Sequence, residues 1–309
     1  MDGGPAPAFA ERHDGARVAY EVTGHPDGYP VFLMHGTPGC RIGPKPRGIS
    51  LYRRGIKLIS YDRPGYGWSD RWKGRGVADA AQDVAAVAER LHIDEFAIIG
   101  RSGGGPHALA CAALMPDRVR RVAVLVSFAP ADDPQLDWYE GMNDDNRRGF
   151  GREAPDSAAV EAEIRERARQ TIADPHYLIN HLRRQMPPRD RQTINQVGLR
   201  LKIVESHREA LRNGSDGWVD DALALRTPWN FEPAKIDTAR TDVLIWHGAN
   251  DTFTPVSHAH LLAGQIRGAR IHVSADAAHF DAIEALPAVL PWLAGGPLAA
   301  DSTLLTTRR

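Results

Sequence analysis

Apolar runs of strand length alternate with helix-like patterns along most of this 309-residue chain. Strands buried on both faces of a parallel sheet are dominated by apolar residues and lack the alternation of half-exposed strands. Such runs occupy residues 30–36, 56–62, 95–99, 121–127, 241–248 and 270–274. Residues 17–24 alternate instead, and the turn dipeptide Asp14-Gly15 before them predicts an antiparallel hairpin at the start of the sheet.

Helical spacing of apolar residues fills intervals between these strands. It is found at residues 77–91, directly after the strand at 95–99, at 256–266 and at 281–293. Strands that alternate with helices build a doubly wound parallel sheet, because each crossover helix packs on one face of the sheet. The pattern therefore predicts an α/β fold with a mostly parallel sheet and an antiparallel start.

The alternation stops after residue 130. Residues 131–238 contain no convincing strand, but they carry charged amphipathic stretches such as 158–172 and 191–211. Pro187-Pro188 and the turn-rich segment 213–217 break these helical stretches apart. We therefore expect a helical module inserted into one sheet domain. The expected parts are a core (residues 1–130 and 239–294), a helical cap (residues 131–238) and a disordered tail (residues 295–309).

Charge and composition restrict the classes of partner. The formal net charge is −1 at pH 7, which gives no electrostatic case for binding nucleic acid or an anionic membrane. Cys40 and Cys111 are the only cysteines, so no disulfide framework is expected. The chain starts without a basic segment followed by an apolar run, and no apolar run approaches the length of a membrane span. We expect a cytoplasmic protein with a small-molecule substrate, and the sequence does not indicate an oligomeric state.

A serine stands at a sharp strand-to-helix turn in the segment Gly100-Arg101-Ser102-Gly103-Gly104. Such a turn strains the backbone, and the glycines avoid the collisions that neighbouring Cβ atoms would cause. The turn lifts the serine hydroxyl above the sheet edge, beside the N–H groups and the positive end of the following helix. The G-x-S-x-G spacing between a strand and a helix therefore predicts that Ser102 is a nucleophile, the alternative being a plain glycine-rich turn.

A serine hydroxyl needs a histidine base that is itself oriented by a carboxylate. In an open parallel sheet such groups follow the carboxyl ends of strands. His279 follows the last predicted strand, and Asp251 lies in the turn after the strand before it. The order Ser102, Asp251, His279 fits this type of elbow. Asp132 and Asp133, which follow an earlier strand, are rival carboxylates.

Together with the elbow, four further segments make the chain resemble the α/β-hydrolases over residues 18–293. They occur in the family's order and are His35-Gly36-Thr37-Pro38-Gly39, Asp62-Arg63-Pro64-Gly65-Tyr66-Gly67-Trp68-Ser69, His247-Gly248-x-x-Asp251 and Ala278-His279-Phe280. The resemblance implies a doubly wound, mostly parallel sheet of eight strands with an inserted α-helical cap. It implies that Ser102 is the nucleophile, that His279 is the general base and acid, and that Asp251 orients the histidine. It further implies an oxyanion hole made by the backbone N–H groups of Thr37 and Gly103.

Four residues near these groups are expected to support the site rather than to react. His35 should shape the loop that aims the N–H of Thr37, and Gly36 belongs to the same loop. Gly100 and Gly104 should permit the tight elbow.

The pattern also argues against several chemistries. Haloalkane dehalogenases and epoxide hydrolases of this fold carry an aspartate at the elbow, where this chain has Ser102. No H-E-x-x-H motif or clustered His/Cys spacing is present, so we expect neither a metal nor a cofactor. Cys40 is expected to be a small buried filler, and Asp62 and Arg63 are expected to brace the glycine-rich loop.

The expected reaction is hydrolysis of a carboxylic ester of a small to medium, mostly apolar substrate through an acyl-serine. A minority of the large apolar side chains of the cap should line the pocket. The candidates are Trp138, Tyr139, Met142, Phe150, Tyr177, Trp218, Trp229 and Phe231.

Three alternatives to ester hydrolysis remain open. The loop His-Gly-Thr-Pro-Gly is similar to the His-Gly-Gly-Pro-Gly loop of proline iminopeptidases, whose activity would need a cap carboxylate to hold the free amine of the substrate. Lactone opening, carbon–carbon bond hydrolysis and perhydrolysis use the same triad. From a different class, some proteins of this fold bind ligands without turning them over.

Overall fold

Eight strands form a single sheet in the computed structural model, which describes residues 6–152 and 156–297. They are β1 (Ala8–Glu11), β2 (Arg17–Gly24), β3 (Tyr29–Met34), β4 (Ile56–Tyr61), β5 (Phe96–Arg101), β6 (Val119–Leu125), β7 (Asp242–Gly248) and β8 (Arg270–Ser274). Their order across the sheet is β1-β2-β4-β3-β5-β6-β7-β8. β2 pairs antiparallel with β1 and β4, and every other neighbouring pair is parallel. The predicted mostly parallel sheet of eight strands, with its antiparallel start, is confirmed.

The strand order brings two loops together at one end of the sheet. β3 lies between β4 and β5, so the chain leaves β3 toward one side and later reaches β5 on the other. Where strand order reverses in this way, loops run apart and leave a crevice at the carboxyl ends of the strands. Met34 at the end of β3 pairs with Gly100 of β5, which puts the loop after β3 beside the predicted elbow.

The α-helices of the described residues surround this sheet. They are α1 (Gly48–Arg53), α2 (Ala80–Arg90), α3 (Gly104–Leu114), α4 (Asp144–Gly149), α5 (Ser157–Ala173), α6 (Tyr177–Leu182), α7 (Pro188–Ile194), α8 (Val197–Ala210), α9 (Asp216–Arg226), α10 (Val256–Gln265) and α11 (Asp281–Leu293). The helices predicted at residues 77–91, directly after the strand at 95–99, at 256–266 and at 281–293 correspond to α2, α3, α10 and α11. The short α1 was not predicted, because only Leu51 of this helix is buried and its sequence shows no apolar periodicity.

Apolar strand residues alternate between two hydrophobic clusters, one on each face of the sheet. Phe32 and Met34 of β3 join the cluster that includes residues of α2, α3 and α10, whereas Val31 and Leu33 join the cluster that includes α1 and α11. The alternation follows from strand geometry, since successive side chains point to opposite faces. Helices cover both faces, which explains why the parallel strands are nearly continuous apolar runs in the sequence.

The segment from residue 131 to 238 connects β6 to β7, and its described part contains α4 to α9 and a short 3₁₀ turn but no strand. The predicted helical stretch 158–172 corresponds to α5. The stretch 191–211 forms two helices, α7 and α8, because Gln196 between them is extended (φ −63°, ψ 111°). Asn195 before it also has a weak preference for helix. We keep the division into core and cap as a proposal, and "cap" below means residues 131–238.

The expected disordered tail, residues 295–309, lies outside the described residues from position 298 onward. None of the helices in the described ranges has both the length and the apolar character that crossing a membrane requires.

Candidate active site

Ser102 lies on the turn between β5 and α3 in a left-handed backbone conformation, with φ +53°. This conformation is strained for a residue with a Cβ atom, so surrounding contacts must hold it. The Ser102 N–H donates to the carbonyl of Leu125 (2.9 Å), and the Ser127 hydroxyl donates to the carbonyl of Ser102 (2.7 Å). The end of β6 and the residues after it therefore fix the backbone that carries the predicted nucleophile.

The elbow has no room for side chains at its glycines. A Cβ atom on Gly100 would lie 2.4 Å from the Gly104 carbonyl oxygen, and one on Gly104 would lie 2.5 Å from the Met34 carbonyl oxygen. A Cβ atom on Gly103 would lie 2.2 Å from Oγ1 of Thr37. These close approaches pack the start of α3 against the loop after β3, so that Gly103 and Thr37 lie side by side.

Thr37 and Gly103 carry the two N–H groups that are expected to bind an oxyanion. Within the described residues, neither N–H group donates a hydrogen bond. Backbone N–H groups in a protein interior are nearly always paired. Two free donors beside Ser102 are therefore suited to a ligand oxygen, although their role as an oxyanion hole stays a prediction.

The structure brings His279 and Asp251 into direct contact. His279 Nδ1 lies 2.8 Å from Asp251 Oδ2. Asp251 also accepts hydrogen bonds from the N–H groups of Phe253 (2.7 Å) and Thr254 (3.0 Å). Burial acts to raise the pKa of the Asp251 carboxyl, but His279 and the hydrogen bonds outweigh it and hold that pKa below its ordinary value. The group is thus an ionised carboxylate with a fixed orientation, as a residue that orients an imidazole must be.

The rival carboxylates lie elsewhere. Asp133 accepts a hydrogen bond from the side chain of Gln265, and Asp132 and Asp133 both line a separate groove beside α10. Ser102 and His279 instead line one common cavity. Of the three candidate carboxylates, Asp251 is therefore the one that the fold places next to the histidine.

A cavity of about 120 Å³ holds the predicted reactive groups. Thr37, Ser102 and His279 line it from the core, and its remaining walls are mostly apolar. Of the eight large cap side chains, Phe150 and Trp218 line this cavity. The other apolar lining side chains are Phe128, Ile164, Leu178, Ile179, Leu182, Ile203, Phe253, Phe280 and Ile283. The cap therefore supplies much of the surface that a substrate would meet.

A buried ion network joins the cap to the loop that carries Thr37. Asp221 of α9 accepts hydrogen bonds from the hydroxyls of Thr37 (2.6 Å) and Tyr66 (2.9 Å). It also forms ion pairs with Arg63 and Arg75. Burial acts to raise the pKa of Asp221, but the two arginines outweigh it and hold that pKa well below its ordinary value. The sequence analysis missed Asp221, because nothing local distinguishes it from the other acids of the cap.

His35 and Arg63 brace the same loop from the core side. The backbone N–H of Arg63 donates to His35 Nε2 (3.2 Å), so His35 Nδ1 carries the proton and donates to the Gly36 carbonyl (2.8 Å). Burial, reinforced by the charge of Arg63, keeps the pKa of His35 well below its ordinary value. The Arg63 side chain donates to the carbonyls of His35 and Gly36. Arg63 thus braces the loop after β3, whereas Asp62 accepts from the N–H of Trp68 in its own glycine-rich loop.

Asp190 of α7 approaches the predicted base from the cap. Its Oδ1 accepts a hydrogen bond from the N–H of Phe280 (2.7 Å), the residue after His279. Its Oδ2 is buried and has no hydrogen-bond partner among the described residues. Burial raises the pKa of Asp190 from 3.8 to about 7, although the nearby His279 opposes the shift. Sequence reasoning missed this residue too, since it is one acid among many on the charged helices.

The two cysteines offer no second nucleophile. Cys40 and Cys111 are free and buried, and burial raises the pKa of both thiols. A thiolate is the reactive form of cysteine, so neither is poised to react. Over residues 6–152 and 156–297, no group of three or more His, Cys, Asp or Glu side chains is arranged to hold a metal ion.

Comparisons with known proteins agree with this fold. The family model described as "alpha/beta hydrolase fold" matches residues 29–286. A 2-hydroxymuconate semialdehyde hydrolase from Pseudomonas putida is 27% identical over 267 residues, which cover 84% of this chain and 83% of that protein. A proline iminopeptidase from Neisseria gonorrhoeae is 31% identical over 132 residues, which cover 41% of this chain and 42% of that protein. The solved structure of a thermophilic esterase from Thermogutta terrifontis superposes with a TM-score of 0.66 at 20% identity, covering 98% of this chain and all of that one.

Proposed function

The chain belongs to the α/β-hydrolase family, and from this premise we propose that it cleaves carboxylic esters of small to medium, mostly apolar molecules through an acyl-Ser102 intermediate. The observation that carries the proposal is the contact between His279 and Asp251 at the edge of a cavity that Ser102 also lines. With Nδ1–H bound to the carboxylate, His279 Nε2 is left as the proton acceptor of a residue that lines the cavity.

In the proposed reaction, His279 Nε2 takes the hydroxyl proton while Ser102 Oγ attacks the ester carbonyl carbon. The tetrahedral intermediate places its negative oxygen near the N–H groups of Thr37 and Gly103. Its collapse breaks the bond to the alcohol oxygen, and His279 returns the proton to that leaving alcohol. Asp251 holds the imidazolium in place and stabilises its charge throughout.

The second half of the reaction repeats these roles with water. A water molecule attacks the carbonyl carbon of acyl-Ser102 and gives a proton to His279 as it does so. The bond between the acyl carbon and Ser102 Oγ then breaks, the proton passes to Oγ, and the free acid leaves. The serine and the histidine return to their starting states, so no cofactor is consumed.

The cavity walls support an apolar substrate of limited size. Side chains such as Phe150, Leu178 and Trp218 approach the reactive groups from the cap, and Phe128 and Phe253 do so from the core. Burying apolar substrate surface against such walls contributes about 25 cal/mol per Å². That gain favours esters with hydrocarbon groups over highly polar ones.

Peptidase activity needs a cap carboxylate for the substrate amine, and the cap offers a poor one. Asp145 is the cap carboxylate that lines the cavity. Its Oδ1 already lies 2.5 Å from Arg148, 3.7 Å from Arg167 and 2.9 Å from His181, and these side chains offset its charge although its buried Oδ2 has no hydrogen-bond partner. Asp221 is likewise held by Arg63 and its other partners. Carbon–carbon bond hydrolysis is the stronger second candidate, and a relative aligned over 84% of this chain is named a 2-hydroxymuconate semialdehyde hydrolase.

Turnover of two chromogenic substrates tests the proposal. The wild type should hydrolyse p-nitrophenyl butyrate and leave prolyl-p-nitroanilide intact, and Ser102→Ala should lose the esterase activity. Prolyl release without ester cleavage would favour the peptidase instead. Full esterase activity in folded Ser102→Ala would remove Ser102 from the mechanism.

A further inference from the structure

Arg101, the residue directly before Ser102, brings an unpaired cation to the candidate active site. It lines the same cavity as Ser102 and His279. Its Nη1 is buried without a hydrogen-bond partner, and among the described residues no carboxylate forms an ion pair with its guanidinium. The other arginine of the cavity, Arg167, also has a buried Nη2 without a hydrogen-bond partner, but it forms an ion pair with Glu163, to which its Nε donates (2.7 Å).

The guanidinium of Arg101 keeps its charge at neutral pH. Burial lowers the pKa of Arg101 to about 10, and no neighbouring carboxylate opposes the shift. Arg101 is partly exposed, but its Nη1 is buried, and folded proteins normally offset the cost of burying part of a charged group with a counter-ion. Asp145, a carboxylate of the same cavity, forms ion pairs with cap side chains through Oδ1, its Oδ2 has no hydrogen-bond partner, and no ion pair joins it to Arg101. Among the described residues no carboxylate supplies the counter-charge, and a molecule that enters the cavity can do so.

We infer that Arg101 binds a carboxylate of the substrate, so that the preferred esters are those that carry a carboxylate a few bonds from the scissile carbonyl. The planar guanidinium offers two parallel N–H donors, which match the two oxygens of a carboxylate. A phosphate dianion fits less well, because one guanidinium would leave its second charge unpaired among apolar walls. The inference rests on the proposed function in one respect only, namely that Ser102, the residue after Arg101, is the nucleophile.

Matched pairs of esters test the inference through a ratio of rates. Monomethyl succinate and methyl levulinate differ only in a carboxylate against a methyl ketone on the acyl side. O-acetylglycolate and acetoxyacetone differ in the same way on the alcohol side. In at least one pair, the wild type should prefer the carboxylate ester by at least about tenfold in kcat/KM, as expected for a charge-assisted hydrogen bond.

Substitutions of Arg101 test whether this residue causes the preference for carboxylate esters. Arg101→Gln should reduce the ratio to near one, and Arg101→Lys should retain part of it because it keeps the charge. Arg53→Gln, at an exposed position at the end of α1, is the matched control and should keep the wild-type ratio. Because each ratio compares two substrates on one protein, a general loss of activity cancels. A wild-type preference that survives unchanged in Arg101→Gln would overturn the inference.

Direct binding separates this inference from the proposed function. Calorimetric titration of Ser102→Ala protein with the same pairs should show tighter binding of the carboxylate member, whether or not the wild type turns it over. Absent ester turnover together with this binding preference would contradict the proposed function alone. Equal binding of both members in both pairs would overturn the role of Arg101. The binding measurement uses protein with the native Arg101, so it tests the inference even if Arg101→Gln fails to fold.

Discussion

Asp251 contacts the imidazole of His279 at Nδ1. With the proton held on Nδ1 by the carboxylate, Nε2 is available to accept a proton. The carboxylate is in turn constrained by the N–H groups of Phe253 and Thr254, which follow it in the same turn. The short segment after β7 thus builds both the carboxylate and its support. Because these supporting contacts are local, the context His247-Gly248-x-x-Asp251 after a strand could favour Asp251 over Asp132 and Asp133 from the sequence, and its catalytic role stays a prediction.

Replacing Asp251 with asparagine should lower kcat by about ten-thousandfold, since the imidazole would lose its tautomer and orientation. Measurement of kcat on a chromogenic ester checks this. Asp133→Asn is the control, and as a surface change it should alter kcat by less than about twofold. A larger loss in Asp133→Asn than in Asp251→Asn would show that the wrong carboxylate had been chosen.

At the scale of elements, α9 is the helix that ties the cap to the catalytic loops. Asp221 on this helix contacts Thr37 directly, and it reaches the same loop again through Arg63. Asp220, the neighbouring residue, pairs with Arg71 instead. The sequence places two aspartates side by side on a charged helix; both are buried, and only the packing of α9 decides which one contacts Thr37. For this reason the sequence predicted a helical cap but not how the cap is fixed.

Asp221→Asn should destabilise the protein and impair catalysis together. The change leaves Arg63 and Arg75 without their buried partner, which costs about 3–5 kcal/mol. It also loosens the loop that carries the N–H of Thr37, so kcat should fall more than KM rises. Urea unfolding and steady-state kinetics measure the two effects.

A matched control lies on the same helix. Asp216 is half-exposed where it pairs with Arg71 and Arg165, so Asp216→Asn should cost only about 0–1 kcal/mol and leave kcat intact. Equal stability and equal kcat in the Asp221 and Asp216 variants would contradict the anchoring role of Asp221.

For the whole molecule, the sheet was predictable from the sequence and the packing of the cap was not. Strand positions could be derived from apolar runs in the parallel part of the sheet and from alternation at residues 17–24. The predicted bounds of β2 and β8 agree with the structure to the residue. The cap helices carry charges on most faces, and their arrangement depends on distant partners. Asp190 of the cap, for example, contacts the N–H of Phe280 of the core, 90 residues later.

The same Asp190 makes folding stability depend on pH. Its pKa in the folded protein, about 7, lies above its ordinary value of 3.8, so the folded state holds the proton more tightly. The stabilisation is therefore complete below about pH 4 and is lost as pH rises through 7. Asp190→Asn keeps an acceptor for the N–H of Phe280 without the charge. Between pH 5 and pH 8, the wild type should lose about 2–4 kcal/mol of unfolding free energy relative to this variant.

Urea unfolding of both proteins at several pH values measures that difference. Other acids with raised pKa values, such as Asp83, titrate in both proteins and cancel in the comparison. Parallel curves for the wild type and Asp190→Asn would contradict the assigned protonation of Asp190.

Labelling with a fluorophosphonate probe, followed by intact-mass and peptide analysis, tests the central claim most directly. An activated serine bonds to the probe phosphorus and expels fluoride, which an ordinary serine does only very slowly. The wild type should gain the mass of one probe at Ser102, Ser102→Ala should gain none, and His279→Ala should react far more slowly. Folded wild type that stays unlabelled, or Ser102→Ala that labels as fast as the wild type, would contradict the assignment of Ser102 as the nucleophile.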